Sequence, residues 1–375
     1  MESPRQKRVL GITGNIASGK SYVRQYLENG GAVTVDADLL AQETYLPGNP
    51  AYQPVLEAFG SDLKMPDGQI NRGKLGRIVF RDADALAQLE KIIHPIVRER
   101  ARQIIEDSDA AFIVFEAIKL FESEMDQDCD QIWVVDADEK TRLERLMTTR
   151  GLEEKEAWRR IHSQPPQAEK IARANRVIHT DQSYHSTYDQ VRDGLVEIGA
   201  ELPTRLQGHS GLYYQPLQPE HFAQAAALIP AGDDPPFQPE DFYRLLGSAS
   251  LIANFDGERL NQLISWRIEH FLAIVQARWP VIASTEVGEE AFLAIEDFAN
   301  MHDCSLLIIP STFLRRSAAK TLGYLPGEDP TQNVHPLAVV NFLRKNGFMP
   351  GEVYQKELRS AHLAWKSNSS GILKP

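Results

Sequence analysis

The sequence contains few cysteines and no apolar run long enough to span a membrane. Its two cysteines, Cys129 and Cys304, lie far apart, which excludes a disulfide framework and the paired spacing of a zinc site. The chain has 40 basic and 52 acidic residues, and its net charge of -12 disfavours non-specific binding to nucleic acid. The polar N-terminus has no apolar segment typical of a signal peptide, so we expect a cytoplasmic protein.

A length of 375 residues and a hydrophobic content of 42% predict two domains with packed cores. The stretch from 199 to 211 is polar and contains proline and glycine, which is typical of a linker. We predict a first domain over residues 1–200, a linker over 201–211, a second domain over 212–358 and a tail over 359–375. The sequence indicates neither an oligomeric state nor whether the two halves are coupled.

One motif near the N-terminus predicts a phosphate-binding loop. Gly14 and Gly19 are followed by Lys20 and Ser21, between an apolar stretch typical of a strand (9–13) and the start of a helix (22–27). In such a loop, backbone N–H groups bind phosphate oxygens, Lys20 reaches the β- and γ-phosphates of ATP, and the Ser21 hydroxyl binds Mg²⁺. The alternative is an ordinary glycine-rich turn with a solvated lysine. The predicted nucleotide-binding residues are Gly14, Asn15, Ile16, Ala17, Ser18, Gly19, Lys20, Ser21, Tyr22 and Arg145.

Carboxylates follow several predicted strands of the first half. Asp36, Glu116 and Asp136 come directly after apolar stretches at 32–35, 111–115 and 132–135. Strands that alternate with helices predict an α/β domain with a parallel sheet, and ligands bind beyond the carboxyl ends of such strands. We expect Asp36 to orient an attacking hydroxyl or accept its proton. We expect Asp38 to cap the helix that begins near residue 39 rather than to hold a metal-bound water.

A group of basic side chains lies within residues 72–98 of this acidic chain. Arginine binds phosphate in a fork geometry, so the group suits an anionic second substrate, although any one member alone is more simply a surface residue. Pro95 is expected to kink or restart its helix, which would leave His94 near a helix start. The members are Arg72, Arg77, Arg81, His94 and Arg98.

Two helices on either side of Gly151 predict a lid over the nucleotide. The first carries Arg142, Arg145 and Arg150, and we expect Arg150 to bring positive charge near the transferring phosphate. A lid of this kind excludes water and commits the bound substrate to reaction.

Residues 8–200 resemble the dephospho-CoA kinase family. The resemblance rests on the loop motif from Gly11 to Ser21, on Asp36-Ala-Asp38, and on the ordered pieces 67–72, 79–80, 89–95, 145–150 and 160–164. It implies transfer of the γ-phosphate of ATP to the ribose 3′-hydroxyl of dephospho-CoA, the last step of CoA biosynthesis, with Asp36 acting on that hydroxyl. It also implies that Lys20 and Arg150 serve catalysis and that Mg²⁺ assists. The implied acceptor-binding residues are Arg72, Arg81, His94, Arg98 and Glu116.

The sequence departs from the family pattern at two places. The family usually shows Asp-Ile-Pro-Leu-Leu-Phe-Glu at the third strand, whereas this chain has Glu116-Ala-Ile-Lys-Leu-Phe-Glu122, with a longer carboxylate, no proline and the added charge of Lys119. The family's asparagine near the last strand is replaced by His179-Thr180. Two alternatives therefore stay open: a phosphate-loop kinase for another small alcohol or nucleoside, and a non-catalytic protein that senses nucleotides or CoA.

From residue 212 the sequence predicts a strand, two helices, three antiparallel strands with an Asp256-Gly257 hairpin turn, a helix and a strand, followed by helices at 312–322 and 336–346. This order, an α+β arrangement, resembles the GNAT acetyltransferase family. The stretch 342–348 is similar to that family's closing helix and Gly-Phe pair. The turn at 283–288 offers one glycine and the acidic Glu286, where the family binds the pyrophosphate of acetyl-CoA with glycines and a basic or amide residue. We therefore expect a GNAT-like module that does not catalyse ordinary acetyl transfer.

Overall fold

The structure is a computed structural model. It describes residues 7–79, 81–108, 110–200, 206–207, 213–229, 237–269, 272–279, 286–302, 304, 306–310, 325–326 and 353–358. Within these ranges, no helix combines the length and the hydropathy needed to cross a membrane.

The first half contains a five-stranded sheet in the order β2-β3-β1-β4-β5, and every neighbouring pair is parallel. Parallel pairing requires a crossover between successive strands, and the helices supply it. The predicted α/β class and parallel sheet are therefore confirmed. The strands are β1 (Arg8–Thr13), β2 (Val33–Asp36), β3 (Phe112–Glu116), β4 (Gln131–Asp136) and β5 (Arg176–His179).

Helices cover both faces of this sheet. One face packs on a core that includes Val35, Val97 and Phe115, and the other on a core that includes Leu27 and Trp133. The helices are α1 (Lys20–Asn29), α2 (Ala37–Thr44), α3 (Tyr52–Phe59), α4 (Arg72–Val79), α5 (Ala83–Asp107), α6 (Glu139–Arg150), α7 (Glu154–His162), α8 (Gln167–Ile171) and α9 (Tyr184–Glu197), with 3-10 turns at Ser61–Leu63 and Met125–Asp128.

Helix α5 runs without interruption through Pro95 for 25 residues. The expectation that proline would restart the helix and place His94 near a helix start is wrong. A buried stripe of Ile93, Val97 and Ile104 packs this helix into the core. Packing of an apolar stripe can offset the hydrogen bond that proline removes, because most helical stability in proteins comes from such packing.

The second half contains a separate mixed sheet of eight strands in the order β12-β13-β11-β10-β9-β8-β7-β6. Its pairs are antiparallel except for β10 with β11. The strands are β6 (Leu206–Gln207), β7 (Tyr213–Pro216), β8 (Ser250–Asp256), β9 (Arg259–Glu269), β10 (Leu272–Trp279), β11 (Leu306–Pro310), β12 (Leu325–Pro326) and β13 (Val353–Glu357). The helices are α10 (Phe222–Leu228), α11 (Asp241–Leu246) and α12 (Glu286–Met301), with a 3-10 turn at Pro219–His221.

The element order from β7 to β11 is the one expected from the sequence. Strands β8 and β9 form the expected hairpin, with Asp256 paired to Arg259 and Gly257 at a φ of 57°. The helices expected at 312–322 and 336–346, the Gly-Phe pair and residues 283–285 of the turn at 283–288 lie outside the described residues. The division into two domains with a linker at 201–211 stays a prediction.

The two halves share one hydrophobic core. It joins Tyr26 and Leu27 of α1 with Phe242, Leu246 and other apolar residues of the second half. Polar contacts surround the shared core: Tyr26 Oη donates to Tyr243 O (2.6 Å), Asn29 Nδ2 to Leu246 O (2.7 Å), and Gln25 Nε2 to Ser250 Oγ (3.1 Å). Helix α1 is therefore held between the parallel sheet and the second half.

Candidate active site

The loop between β1 and α1 has the backbone of a phosphate cradle. Gly14 and Gly19 adopt φ values of 153° and 93°, and Ala17 is left-handed at 61°. A Cβ at Gly14 would lie 2.3 Å from Val135 O, and one at Gly19 would lie 2.8 Å from Thr180 Oγ1. Both positions therefore require glycine, because the loop lies directly against the ends of β4 and β5.

Lys20 begins α1 and folds back over this loop. Its buried ammonium donates to Gly14 O (2.8 Å) and Asn15 O (3.4 Å). Burial lowers the pKa of Lys20, while the negative charges of Glu116, Asp38 and Asp36 oppose that shift. The ammonium thus lies between the loop and a group of carboxylates, and the next residue, Ser21, is exposed.

Parallel pairing brings two of these carboxylates side by side. Asp36 ends β2 and is the register partner of Glu116, which ends β3. Asp36 Oδ1 accepts from Leu39 N (3.0 Å), so Asp36 is the N-cap of α2 and the expectation that Asp38 caps this helix is wrong. Asp36 has extended backbone and lies three residues before Leu39, which is the spacing that a cap needs. Asp38 already belongs to the first turn of α2, and burial, helped by Asp36, raises its pKa.

Glu116 is buried, and burial raises its pKa to about 7 against the opposing charges of Arg24 and Lys20. Arg24 Nε lies 3.1 Å from Glu116 Oε2, and Arg24 Nη1 lies 3.5 Å from Glu28 Oε1. Arg24 was not among the site residues predicted from the sequence. The available signal was spacing, because Lys20, Arg24 and Glu28 recur every four residues and so share one face of α1.

The predicted lid holds the phosphate loop by direct hydrogen bonds. Arg142 Nε donates to Ile16 O (3.0 Å), and Arg145 Nη1 donates to Ala17 O (3.1 Å). Beyond the lid helices, Gln164 Oε1 accepts from Ile16 N (2.7 Å), and Gln167 Oε1 accepts from Asn15 N (2.9 Å). Neither glutamine was predicted as a site residue from the sequence.

Thr180 links the loop, the lid and β5. Its Oγ1 donates to Ser18 O (2.6 Å) and accepts from Arg145 Nη1 (2.9 Å). Thr180, one of the two residues that stand where the family usually has asparagine, therefore fixes Arg145 against the loop. Arg150, at the exposed C-terminal end of α6, is close enough to influence the pKa of Lys20.

Tyr22 connects the loop helix to the second half. Its ring stacks on Tyr184 at a centroid distance of 5.2 Å. A Cβ at Gly247, just after α11, would lie 2.0 Å from the Tyr22 ring. Burial and its hydroxyl contact with Tyr184 raise the pKa of Tyr22 to about 12. The ring of a predicted nucleotide-binding residue is therefore in direct contact with the backbone of the second half.

The predicted acceptor-binding residues fall into separate places. His94 and Arg98 lie one turn apart on α5, where Arg98 Nη2 donates to Ser123 O (3.0 Å) and pairs with Glu124 (2.7 Å). Burial lowers the pKa of His94. Arg72 begins α4 and donates to Gln42 of α2, and Arg81 is exposed in the turn before α5.

Comparison with known proteins identifies the family. The model of the dephospho-CoA kinase family (CoaE) matches residues 8–186. The dephospho-CoA kinase of Carboxydothermus hydrogenoformans is 41% identical over 186 residues, which are 49% of this chain and 90% of that protein. The enzyme of Moorella thermoacetica is 39% identical over 198 residues, which are 52% of this chain and 93% of that protein. The chain belongs to the dephospho-CoA kinase family.

The family match includes the phosphate loop, the three carboxylates and the lid helices, all of which lie within residues 8–186. Two solved structures align with the kinase half: TT1252 of Thermus thermophilus (TM-score 0.47, 28% identity, 52% of this chain and 98% of that one) and the dephospho-CoA kinase of Campylobacter jejuni (0.37, 25%, 51% and 97%). The ribosomal-protein-S18-alanine N-acetyltransferase of Escherichia coli aligns with 39% of this chain and 92% of its own, at a TM-score of 0.26 and 10% identity.

Proposed function

We propose that this dephospho-CoA kinase family member transfers the γ-phosphate of ATP to the ribose 3′-hydroxyl of dephospho-CoA, which yields CoA. The observation that carries the proposal is the pairing of Asp36 with Glu116 beside the loop lysine, Lys20. Phosphoryl transfer needs a carboxylate beside the phosphate loop to orient the attacking hydroxyl, and the parallel register of β2 and β3 provides Asp36 there.

The loop binds the triphosphate of ATP. Its backbone N–H groups and the start of α1 supply donors to phosphate oxygens, and glycine at 14 and 19 lets the loop take this path against Val135 O and Thr180. Lys20 exchanges its bonds to Gly14 O and Asn15 O for phosphate oxygens. A buried ammonium with a pKa lowered by desolvation gains most from such a partner, because its charge is poorly solvated.

Asp36 orients the 3′-hydroxyl of the acceptor and accepts its proton as the new bond to phosphorus forms. The cap interaction with Leu39 N fixes the carboxylate through Oδ1. Glu116 lies beside it in the register and adds a second acceptor for hydrogen bonds. Phosphoryl transfer depends mainly on such positioning and on charge neutralisation.

The Ser21 hydroxyl is the protein ligand proposed for Mg²⁺, which neutralises phosphate charge when bound. The exposed serine at the start of α1 fits this role, since the ion takes its remaining ligands from phosphate and water. Asp38 lies in the same acidic group as Asp36 and suits an outer position around bound water.

The lid residues complete the nucleotide site. Arg145 is held by Ala17 O and Thr180, which places a planar guanidinium beside the predicted nucleotide pocket. Arg150 supplies positive charge to the transferring phosphate when the lid closes. Arg72, Arg81, His94 and Arg98, which lie on α4, in the turn before α5 and on α5, are the residues proposed to bind the acceptor, and the three arginines are proposed to bind the pyrophosphate of dephospho-CoA.

The test is a steady-state assay with ATP, Mg²⁺ and dephospho-CoA that couples ADP release to NADH oxidation and identifies CoA by chromatography. We expect one CoA for each ADP. ADP formation with adenosine or another small alcohol but not with dephospho-CoA would favour a kinase of different acceptor choice. Nucleotide binding without turnover of any acceptor would favour a sensing protein.

A further inference from the structure

Arg24 joins two buried glutamates in a polar chain that ends beside Asp36. It sits on α1 one turn after Lys20, with Nε 3.1 Å from Glu116 Oε2 and Nη1 3.5 Å from Glu28 Oε1. The side chains of Arg24, Glu116 and Glu28 are 23%, 9% and 1% exposed. This burial distinguishes the chain from solvated surface ion pairs, whose net contribution is small.

The far end of the chain is anchored in the sheet. The Thr34 hydroxyl donates to Glu28 Oε1, and Thr34 lies on β2 two residues before Asp36. The chain Thr34–Glu28–Arg24–Glu116 thus joins β2, α1 and β3, which are all regular elements. Groups held on regular elements keep their positions better than groups held on loops.

Glu116 needs such a partner for two reasons. It lies beside its register partner Asp36, and the negative charges of Asp36 and Asp38 oppose its ionisation, so repulsion among the carboxylates disfavours a fixed ionised arrangement. It is also a glutamate where the family usually has aspartate, so its carboxylate has one more rotatable bond. A guanidinium donates in a fixed planar geometry and can restrict that extra freedom.

We propose that Arg24 is a positioning residue for phosphoryl transfer, which acts by fixing the orientation of the Glu116 carboxylate beside Asp36 and Lys20. This inference rests on the proposed function. It also gives the glutamate at 116, where the family usually has aspartate, a partner on α1, because the Glu116 carboxylate contacts Arg24 directly. Arg24 thus acts through Glu116 rather than on a substrate.

The experiment is a double-mutant cycle measured by kcat and by KM for ATP and for dephospho-CoA. Arg24→Met keeps the apolar stem and removes the charge. We expect it to lower kcat about tenfold or more with KM for ATP changed less than about threefold, since a misplaced reacting geometry costs rate rather than nucleotide binding. Arg24→Lys should recover part of kcat. In the Glu116→Gln background, Arg24→Met should change kcat less than about twofold, because its charged target is already gone.

The matched control is Arg192→Met on α9, where a 47% exposed arginine pairs with Asp189 and Asp193. Its kcat should stay within about twofold of the wild type, because exposed ion pairs contribute little.

A wild-type kcat in Arg24→Met, or an equal loss of kcat when Arg24→Met is made in the wild-type and in the Glu116→Gln backgrounds, would overturn the inference. If Arg24→Met does not fold, the same cycle is measured with Arg24→Lys. A smaller loss of kcat in the Glu116→Gln background than in the wild type supports the inference, and an equal loss overturns it. Absence of wild-type turnover with dephospho-CoA would instead reject the proposed function.

Discussion

His302 Nδ1 of the second half lies 2.9 Å from Ala32 O, immediately before β2 of the kinase half. A carbonyl oxygen only accepts, so Nδ1 carries the proton in this contact. The imidazole is buried, and burial lowers its pKa, while the charge of Glu28 and the bond to Ala32 O oppose the shift. A neutral histidine therefore joins the second half to the strand that leads to Asp36.

This contact predicts a stability that depends on pH. A histidine with a lowered folded-state pKa stabilises the fold above the unfolded value of about 6.5, and that stability is lost as the pH falls below it. The free energy of unfolding of the wild type should therefore decline as the pH falls below about 6.5, by up to about 1.4 kcal/mol per pH unit relative to His302→Asn. Urea titrations at several pH values measure it. The control is His162→Asn, at an exposed position on α7, whose free energy of unfolding should change with pH in parallel with that of the wild type. The prediction would be contradicted if the free energy of unfolding of His302→Asn also ran parallel to that of the wild type.

Gly247→Ala is expected to disturb the nucleotide site from the second half. The added Cβ would lie 2.0 Å from the Tyr22 ring, which must move. Overpacking of this kind costs roughly 1–3 kcal/mol, so we expect KM for ATP to rise about tenfold. ATP titrations by calorimetry and steady-state kinetics measure it. Ser248→Ala, one residue away and exposed, is the control, and unchanged ATP binding in Gly247→Ala would separate Tyr22 from the nucleotide site.

Asp36→Asn separates the cap of α2 from catalysis. Asparagine caps helices about as well as aspartate, so the melting temperature should change little. It is a poor proton acceptor, and we expect kcat to fall about 100-fold or more with a modest change in ATP affinity. Asp138→Asn makes the same substitution at the N-cap of α6 and should leave kcat unchanged. A loss of ATP binding as large as the loss of turnover would place Asp36 among the metal-binding groups instead.

Lys20→Ala should reduce phosphoryl transfer severely while the protein remains folded. The ammonium bonds to the loop carbonyls Gly14 O and Asn15 O and not to apolar core groups, so we expect the substitution to remove the proposed phosphate-binding group and to leave the core packing intact. Loss of one such electrostatic contact lowers kcat about 100- to 1000-fold. Circular dichroism and the coupled assay test both parts. The control is Lys74→Ala, which removes an exposed lysine paired with Asp62 and should keep the wild-type kcat. Near-wild-type turnover of Lys20→Ala would reject the phosphate-binding role proposed for the loop.

The elements that the sequence predicts well are those encoded in contiguous residues. The loop from Gly14 to Ser21, the strand ends at Asp36 and Glu116, and the hairpin at Gly257 depend on local patterns, and the structure has each of them. The cap of α2 is harder to predict, because Asp36 and Asp38 both fit the pattern and only the backbone angles distinguish them.

The relations that the sequence does not predict join distant parts of the chain. The contact of Arg24 with Glu116 spans α1 and β3, and the contact of Tyr22 with Gly247 spans the two halves. Pro95 is also misjudged from the sequence alone, because tertiary packing of α5 overrides the tendency of proline to interrupt a helix. Each outcome depends on which faces meet after folding.

The shared core has a consequence for how the molecule comes apart. Tyr26 and Leu27 of α1 lie in the same apolar cluster as Phe242 and Leu246, so the kinase half cannot unfold without exposing apolar surface of the other half. The described parts of both halves should melt in one calorimetric transition. Because ligand binding to the folded state raises the midpoint of the whole cooperative unit, ATP bound at the loop would protect the distant β-sheet from thermal unfolding as well.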